Sequence, residues 1–143
     1  MFIFLGPDCP LSQNYTLTLN ELDAEFRGRG IRFYGLVPGN AYQKSSVDAF
    51  IQEYHITFPV LTDRNFKLAD FFGAMKTPEA FVVTADGKTL YKGAIDNWAA
   101  ELGQHRRVVT AHYLRDILAN LVNGHDIRYS ETPAVGCFIE RTS

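Results

Sequence analysis

The chain opens with an unbroken apolar run, Phe2-Ile3-Phe4-Leu5, closed by Gly6-Pro7. Such a run bounded by turn residues predicts a strand buried on both faces. The rhythm then changes. Tyr15, Leu19, Leu22 and Phe26 recur at spacings of four, three and four, with Glu21, Asp23, Glu25 and Arg27 between them. That pattern predicts a helix over residues 13–27, stopped by Gly28 and Gly30. Ile31 to Val37 reads as a second strand, ended by Pro38-Gly39-Asn40. A strand, a helix and a strand within about 35 residues predict a right-handed parallel unit, which places the ends of both strands on one edge. The Pro38–Asn40 loop is therefore expected beside the turn that follows Leu5.

Further on, Ser45-Ser46 is expected to cap a second helix that turns Val47, Phe50, Ile51 and Tyr54 inward. Phe58 to Leu61 is a short extended piece. Asp63 or Asn65 opens a third helix with Phe66, Leu68, Phe71 and Phe72 as its apolar residues and Gly73 as its stop. Thr77-Pro78 precedes the strand Glu79–Thr84, and an X-Pro bond opening a strand is a candidate cis site. Asp86-Gly87 marks a hairpin turn with Thr89–Gly93 as its return strand, which makes the sheet mixed. Residues 94–109 have no regular pattern. They are expected to come back to the edge near Leu5, bringing Asp96, Asn97, Trp98, His105 and Arg106 with them; the alternative puts Trp98 in a satellite core. Thr110 is expected to cap a last helix with Leu114, Ile117, Leu118, Leu121 and Val122 on its stripe and Gly124 as its stop. The tail, 124–143, has no helical pattern. The whole, 1–143, reads as one α/β domain.

Composition narrows the class. With 46% hydrophobic and 21% charged residues, the chain is an ordinary globule. A net charge of −2 supplies no basic field for nucleic acid or anionic lipid, and Arg106-Arg107 reads as a solvated pair. No apolar run approaches the ~20 residues of a membrane span. Two cysteines, Cys9 and Cys137, are too few for a disulfide scaffold, and neither forms a zinc-type Cys-x-x-Cys pair. No metal is expected, because Cys9 lacks a second soft ligand nearby. His55 reads as a helix-end cation.

The chemistry sits at Asp8-Cys9-Pro10-Leu11-Ser12, where the first strand turns into the first helix. Unpaired amides and the helix dipole favour a thiolate at that place, so Cys9 is the candidate nucleophile, against the plainer reading of a small buried Cys. Cys137 lies 13 residues beyond Gly124, a distance the chain covers in about 43 Å when extended, so it is able to reach Cys9. Three readings stay open for it: a resolving thiol, part of an apolar plug with Val135, Phe138 and Ile139, or a thiol that is free or pairs with another chain.

Together, the turn Pro7-Asp8-Cys9-Pro10-Leu11-Ser12, the Thr77-Pro78-Glu79 segment and the final helix resemble the thioredoxin superfamily over most of residues 2–123. More narrowly, the Cys-Pro-Leu turn, Gly93-Ala94-Ile95-Asp96-Asn97 and Thr132-Pro133-Ala134-Val135-Gly136-Cys137 are similar to bacterial redoxin-domain proteins near the alkyl hydroperoxide reductase and thiol-specific antioxidant branch. That resemblance implies a thioredoxin-like three-layer α/β/α fold with a mixed central sheet and an extended C-terminal tail. It implies that Cys9 is the nucleophile and that Thr77-Pro78 is a cis pair beside it whose backbone pairs with an incoming peptide. The expected catalytic set is Cys9, Ser12 and Cys137; the expected substrate-binding set is Pro10, Thr77, Pro78, Trp98 and Arg106. No cofactor is called for. The partners implied are protein or small-molecule disulfides, or hydroperoxides, with an external thiol reductant, and the setting implied is bacterial export. Two departures qualify this. Ser12 stands where thioredoxin-type enzymes carry the second Cys; its hydroxyl is able to bond a thiolate but not to close a disulfide. Gly6 and Phe2 stand where peroxiredoxins carry Thr and Pro. The leading expectation is a thiol-disulfide oxidoreductase; the alternatives are a thiol peroxidase and a non-catalytic binding module.

Overall fold

The computed structural model describes residues 1–101, 103–127 and 129–141. Strand β1 (Phe2–Phe4) leads through the turn at Gly6 into helix α1 (Pro10–Phe26). The helix starts three residues before the expected 13. Pro10 occupies its first position, where no intrahelical N–H is needed and a fixed φ suits the helix. Strand β2 (Tyr34–Pro38) follows, then α2 (Lys44–Glu53), β3 (Val60–Asp63), α3 (Lys67–Phe72) and the short β4 (Lys76–Thr77). The hairpin β5 (Glu79–Val83) and β6 (Thr89–Gly93) comes next. After it are a small hairpin, β7 (Ala99–Glu101) and β8 (Gln104–His105), helix α4 (Tyr113–Val122), and finally β9 (Cys137–Phe138).

The central sheet has the order β3-β2-β1-β5-β6. β1, β2 and β3 run parallel, while β5 lies antiparallel to both β1 and β6. Successive residues of β1 supply opposite cores, as strand geometry requires. Ile3 joins one with Leu19 and Leu22 of α1, Phe50 of α2, and Leu114, Ile117 and Leu118 of α4. Phe4 joins the other with Leu36, Phe81 and Ala69 of α3. This is the mixed, three-layer α/β arrangement expected of a thioredoxin-like chain.

Several local expectations are corrected. α2 is capped by Gln43 with no side-chain bond, rather than by Ser45-Ser46, and Ile51 and Tyr54 are only half-buried. α3 is too short to bury a stripe, so Leu68 and Phe71 are exposed. Asp63 does hold the start of α3: its buried carboxylate accepts from the amides of Leu68 (3.1 Å) and Ala69 (2.8 Å). Thr110 does not cap α4; Asn97 engages it, donating to Thr110 Oγ1 at 2.6 Å and accepting from the amides of Thr110 and Ala111.

The tail returns across the molecule in two steps. Beside β6, Lys92 N donates to Ser130 O (3.1 Å) and Thr132 N to Lys92 O (3.0 Å). The Tyr91 phenol, which burial pushes up to about 12, donates to Ala94 O at 2.6 Å and meets Thr132 Oγ1 at 2.5 Å. Then β9 pairs antiparallel with β4, Cys137 opposite Thr77 and Phe138 opposite Lys76. Two glycines permit these approaches. Gly93 has φ +149°, and a Cβ there would collide with Thr132. A Cβ at Gly136 would collide with the carbonyl of Thr77. Gly136→Ala is therefore expected to push β9 off β4 and to cost the protein on the order of 1–3 kcal/mol in chemical denaturation. Gly28→Ala, where a Cβ meets nothing within 4 Å, should stay within about 0.5 kcal/mol of the parent. A Gly136→Ala protein as stable as the parent contradicts the close approach.

Candidate active site

Cys9 is the N-cap of α1, the residue at which extended backbone becomes helix. Its amide donates to Gly6 O at 3.0 Å and its carbonyl accepts from Gln13 N at 3.0 Å, so the turn is fixed on both sides. Gln13 Nε2 adds a bond to Pro7 O at 2.9 Å. A 17-residue helix points its positive end at the sulfur, and its first turn carries no acidic side chain. Asp8, next in sequence, opposes that field.

Cys9 is bonded to Cys137, with the two Cα atoms 6.2 Å apart and 128 residues between them in sequence. The distance is ordinary for a disulfide. Of the three readings open for Cys137, the structure therefore places it on Cys9. Cys9 is 4% exposed and belongs to the main core, whereas Cys137 is half-buried at its margin. Cys9 Sγ also lies 3.4 Å from the carbonyl of Thr77. The Thr77-Pro78 peptide is cis, and both residues are buried.

Ser12 is fully buried, but its recorded partner is backbone: Oγ accepts from Gly6 N at 3.0 Å. The hydroxyl thus ties the turn across its base. Gly6 stands where a peroxiredoxin carries a hydroxyl-bearing side chain, and its surroundings are tight. A Cβ would sit 3.0 Å from Thr77 Oγ1 and 3.1 Å from Cys9 Cβ.

Beside the disulfide lies a cavity of about 260 Å³ bounded by Asp8, Pro38, Tyr42, Phe138 and Glu140 as well as the two cysteines. Pro38 is there because the parallel β1–α1–β2 unit brings its loop to this edge. Tyr42 donates to Asp8 Oδ1. Burial, and then that hydrogen bond, push the Tyr42 phenol well above its ordinary value, so it remains a donor. Sequence reasoning placed the loop before Tyr42 correctly but did not follow it the two residues further. Glu79 of the Thr77-Pro78-Glu79 segment has a role that the sequence did not assign: its buried carboxylate accepts from the amides of Met75 (2.8 Å) and Lys76 (3.2 Å) and so shapes the approach to Thr77. A charged residue opening a buried strand was the available signal.

Trp98 and Arg106 do not line this cavity. Trp98 packs edge-on against Tyr15 (5.6 Å between centroids) and stacks on His105 (4.7 Å). The reason is the buried pair Tyr15–Asp96: the phenol donates to Asp96 Oδ1 at 2.6 Å, and Trp98 N donates to the same oxygen at 2.9 Å. Burial and that carboxylate raise the Tyr15 phenol far above its usual range. The loop is thereby tied to the middle of α1, about 9 Å along the helix from Cys9 at 1.5 Å per residue. Arg106 is exposed and donates its amide to Trp98 O at 2.6 Å. Pro10, also expected at the site, is exposed at the first position of α1.

A family model described as the AhpC/TSA family matches residues 1–92. Among curated proteins, the thiol-disulfide oxidoreductase ResA of Bacillus thuringiensis subsp. konkukian is 22% identical over 107 residues, which are 75% of this chain and 61% of that protein. The ResA of Bacillus anthracis is 25% identical over 87 residues, 61% of this chain and 49% of that protein. The chain thus spans about three fifths or less of these relatives' lengths. Among solved structures, a hypothetical protein from Sinorhizobium meliloti 1021 superposes with a TM-score of 0.86 at 24% identity, over 99% of this chain and 79% of that one. A secreted Mycobacterium tuberculosis disulfide oxidoreductase homologous to Escherichia coli DsbE superposes with a TM-score of 0.56 at 18% identity, over 86% of this chain and 78% of that one. Intact mass tests the pairing of the two cysteines: the untreated monomer should be lighter by two hydrogens than the same chain after reduction. An unchanged monomer mass contradicts the bond.

Proposed function

The chain belongs to the AhpC/TSA family, and on that basis we propose that it is a thiol-disulfide oxidoreductase cycling through Cys9 and Cys137. The observation that carries the reading is the tail's return to set Cys137, 128 residues from Cys9 in sequence, on the sulfur at the start of α1. In the reduced protein, the Cys9 thiolate attacks one sulfur of a substrate disulfide; a Cys9–substrate bond forms and the other substrate sulfur leaves as a thiolate. The Cys137 thiolate then attacks Cys9 Sγ and expels the second substrate sulfur. The substrate gains two electrons, and the Cys9–Cys137 bond remains. An external thiol reductant restores the pair. Ser12 serves the turn through Gly6 rather than the sulfur, and the β4 edge at Thr77 supports peptide substrates, since it already accepts an extended cysteine-bearing strand.

The setting proposed is outside the cytoplasm, where exchangeable disulfides persist; among the similar structures is one described as secreted. No described helix is long and apolar enough to cross a membrane. The second reading, a peroxidase, draws on the family membership but lacks a hydroxyl at position 6.

Reduction of insulin by the full chain with a dithiol tests the proposal. Cys9→Ser should fall to the uncatalysed rate. Cys137→Ser should accumulate a mixed disulfide between Cys9 and the substrate. Activity surviving in Cys9→Ser contradicts the mechanism. Rapid, dimedone-trapped sulfenic acid at Cys9 with stoichiometric peroxide, together with absent insulin reduction, selects the peroxidase instead.

A further inference from the structure

A second cavity, of about 420 Å³, lies away from the sulfurs, between α1, the start of α4 and the segment that joins β6 to α4. Thr18, the first α1 residue to line it, is nine positions past Cys9, about 14 Å along the helix. Its wall is apolar at Leu22, Ile95 and Val109 and carries charge at Glu21, Glu25, Asp96, His112 and Arg115. Glu25 and Arg115 are paired with each other at 2.6 Å, from α1 to α4. Two carboxylates remain. Glu21 is exposed and has no ion pair among the described residues. Asp96 is only 7% exposed. Its Oδ1 accepts both of the bonds that tie the loop, from the Tyr15 phenol and from Trp98 N. Its Oδ2 accepts none among the described residues, and no buried side-chain oxygen there lacks a partner. Oδ2 therefore reaches accessible space, and the cavity is the space that Asp96 lines. Anchoring Tyr15 and Trp98 needs one acceptor oxygen, which an uncharged amide would supply. The second oxygen and its charge are surplus to that task, and a carboxylate withdrawn from water is costly without a counter-charge. No lysine lines the cavity, and its arginine is already engaged.

We propose that this cavity binds a small primary aliphatic ammonium ion, its nitrogen donating to Asp96 Oδ2 and its hydrocarbon chain lying on Leu22, Ile95 and Val109. The volume falls within the roughly 300–1,000 Å³ of small-ligand sites, which are mostly apolar with a few placed polar groups. An ammonium group supplies three donors and the missing counter-charge. Glu21, at the exposed rim, attracts a ligand of the same sign. A metal ion fits less well: among the described residues no group of three or more His, Cys, Asp or Glu side chains is placed to hold one. The apolar wall suits a ligand with a hydrocarbon body. The site is separate from the disulfide and does not rest on the oxidoreductase reading.

The test is an NMR titration of the nitrogen-15-labelled full chain with n-butylammonium chloride at about pH 8, where an alkylamine stays charged. The amide resonances of Asp96 and of Trp98, whose N–H is bonded to Asp96 Oδ1, should shift along one saturable curve. Because the ammonium makes a charge-assisted bond, n-butanol should bind at least about tenfold more weakly. Asp96→Asn keeps an acceptor for Tyr15 and should weaken butylammonium by about tenfold or more. Glu21→Gln, on the surface and harmless to the fold, should weaken it by about two- to threefold, and so reads the charge of the site even where Asp96→Asn fails to fold. The absence of a saturable shift, shifts centred on another part of the chain, an equal response to butanol, or an affinity that neither variant lowers each overturn the inference. An equal response to potassium chloride marks counter-ions only and overturns it as well. A lysine peptide blocked at both ends that binds more tightly than butylammonium assigns the cavity to a protein side chain and overturns the free amine.

Discussion

Thr77 is where three distant parts of the chain meet. Its carbonyl is 3.4 Å from Cys9 Sγ, and its backbone pairs with Cys137. The missing side chain of Gly136 is what lets that pairing close. The ladder itself is small. A net hydrogen bond contributes about 0.5–1.5 kcal/mol, whereas ordering each tail residue costs about 1–2 kcal/mol. Two residue pairs do not outweigh that cost, so the position of β9 depends on the covalent bond. Farther from the cysteines, Arg141 pairs with Asp70 at 2.6 Å, an exposed contact that contributes little. The bond and the strand thus depend on each other, and the rest of the site is arranged around their junction.

This arrangement separates functions that a local Cys-x-x-Cys turn combines. With Ser12 in the third position after Cys9, the turn keeps a rigid, hydrogen-bonded base but has no second sulfur. The second sulfur arrives on a segment held at two places: along the edge of β6 by Ser130 and Thr132, and at β4 by Cys137. The first attachment does not involve the disulfide. The tail's base is thus held without the sulfurs, while around the bond the distal strand adds Ile139 N to Met75 O (2.9 Å), Lys76 Nζ to Ala134 O (3.1 Å) and the two β4 pairs.

Much of the fold was legible because periodicity and turn chemistry act over short distances. The strand at Phe2–Phe4, the helix after Cys9, the Asp86-Gly87 hairpin and the parallel first unit all followed from residues within a few positions of one another. Caps were less legible. Thr110 is a good cap by type, but Asn97, 13 residues earlier, claims its hydroxyl and amide. Cys9 was recognisable because a strand-to-helix turn is a local feature. Trp98 stayed open between the Cys9 edge and a packed position because its place is set by Tyr15–Asp96, a buried pair 81 residues apart that no local pattern announces. The junction with Cys137 lay between these cases. The chain length allowed it, but only the paired backbone of Thr77 and Cys137 decides it.

The central claim is that Cys9 and Cys137 form one exchangeable couple rather than a fixed brace. Equilibration of the full chain in a series of thiol–disulfide buffers, followed by acid quench and differential alkylation of each cysteine, tests this directly. The account predicts that both thiols appear together in a single two-electron transition, and that β9 amides lose their protection from hydrogen exchange over the same range. A pair that stays oxidised across the series, or a Cys9 that titrates without Cys137, would contradict it.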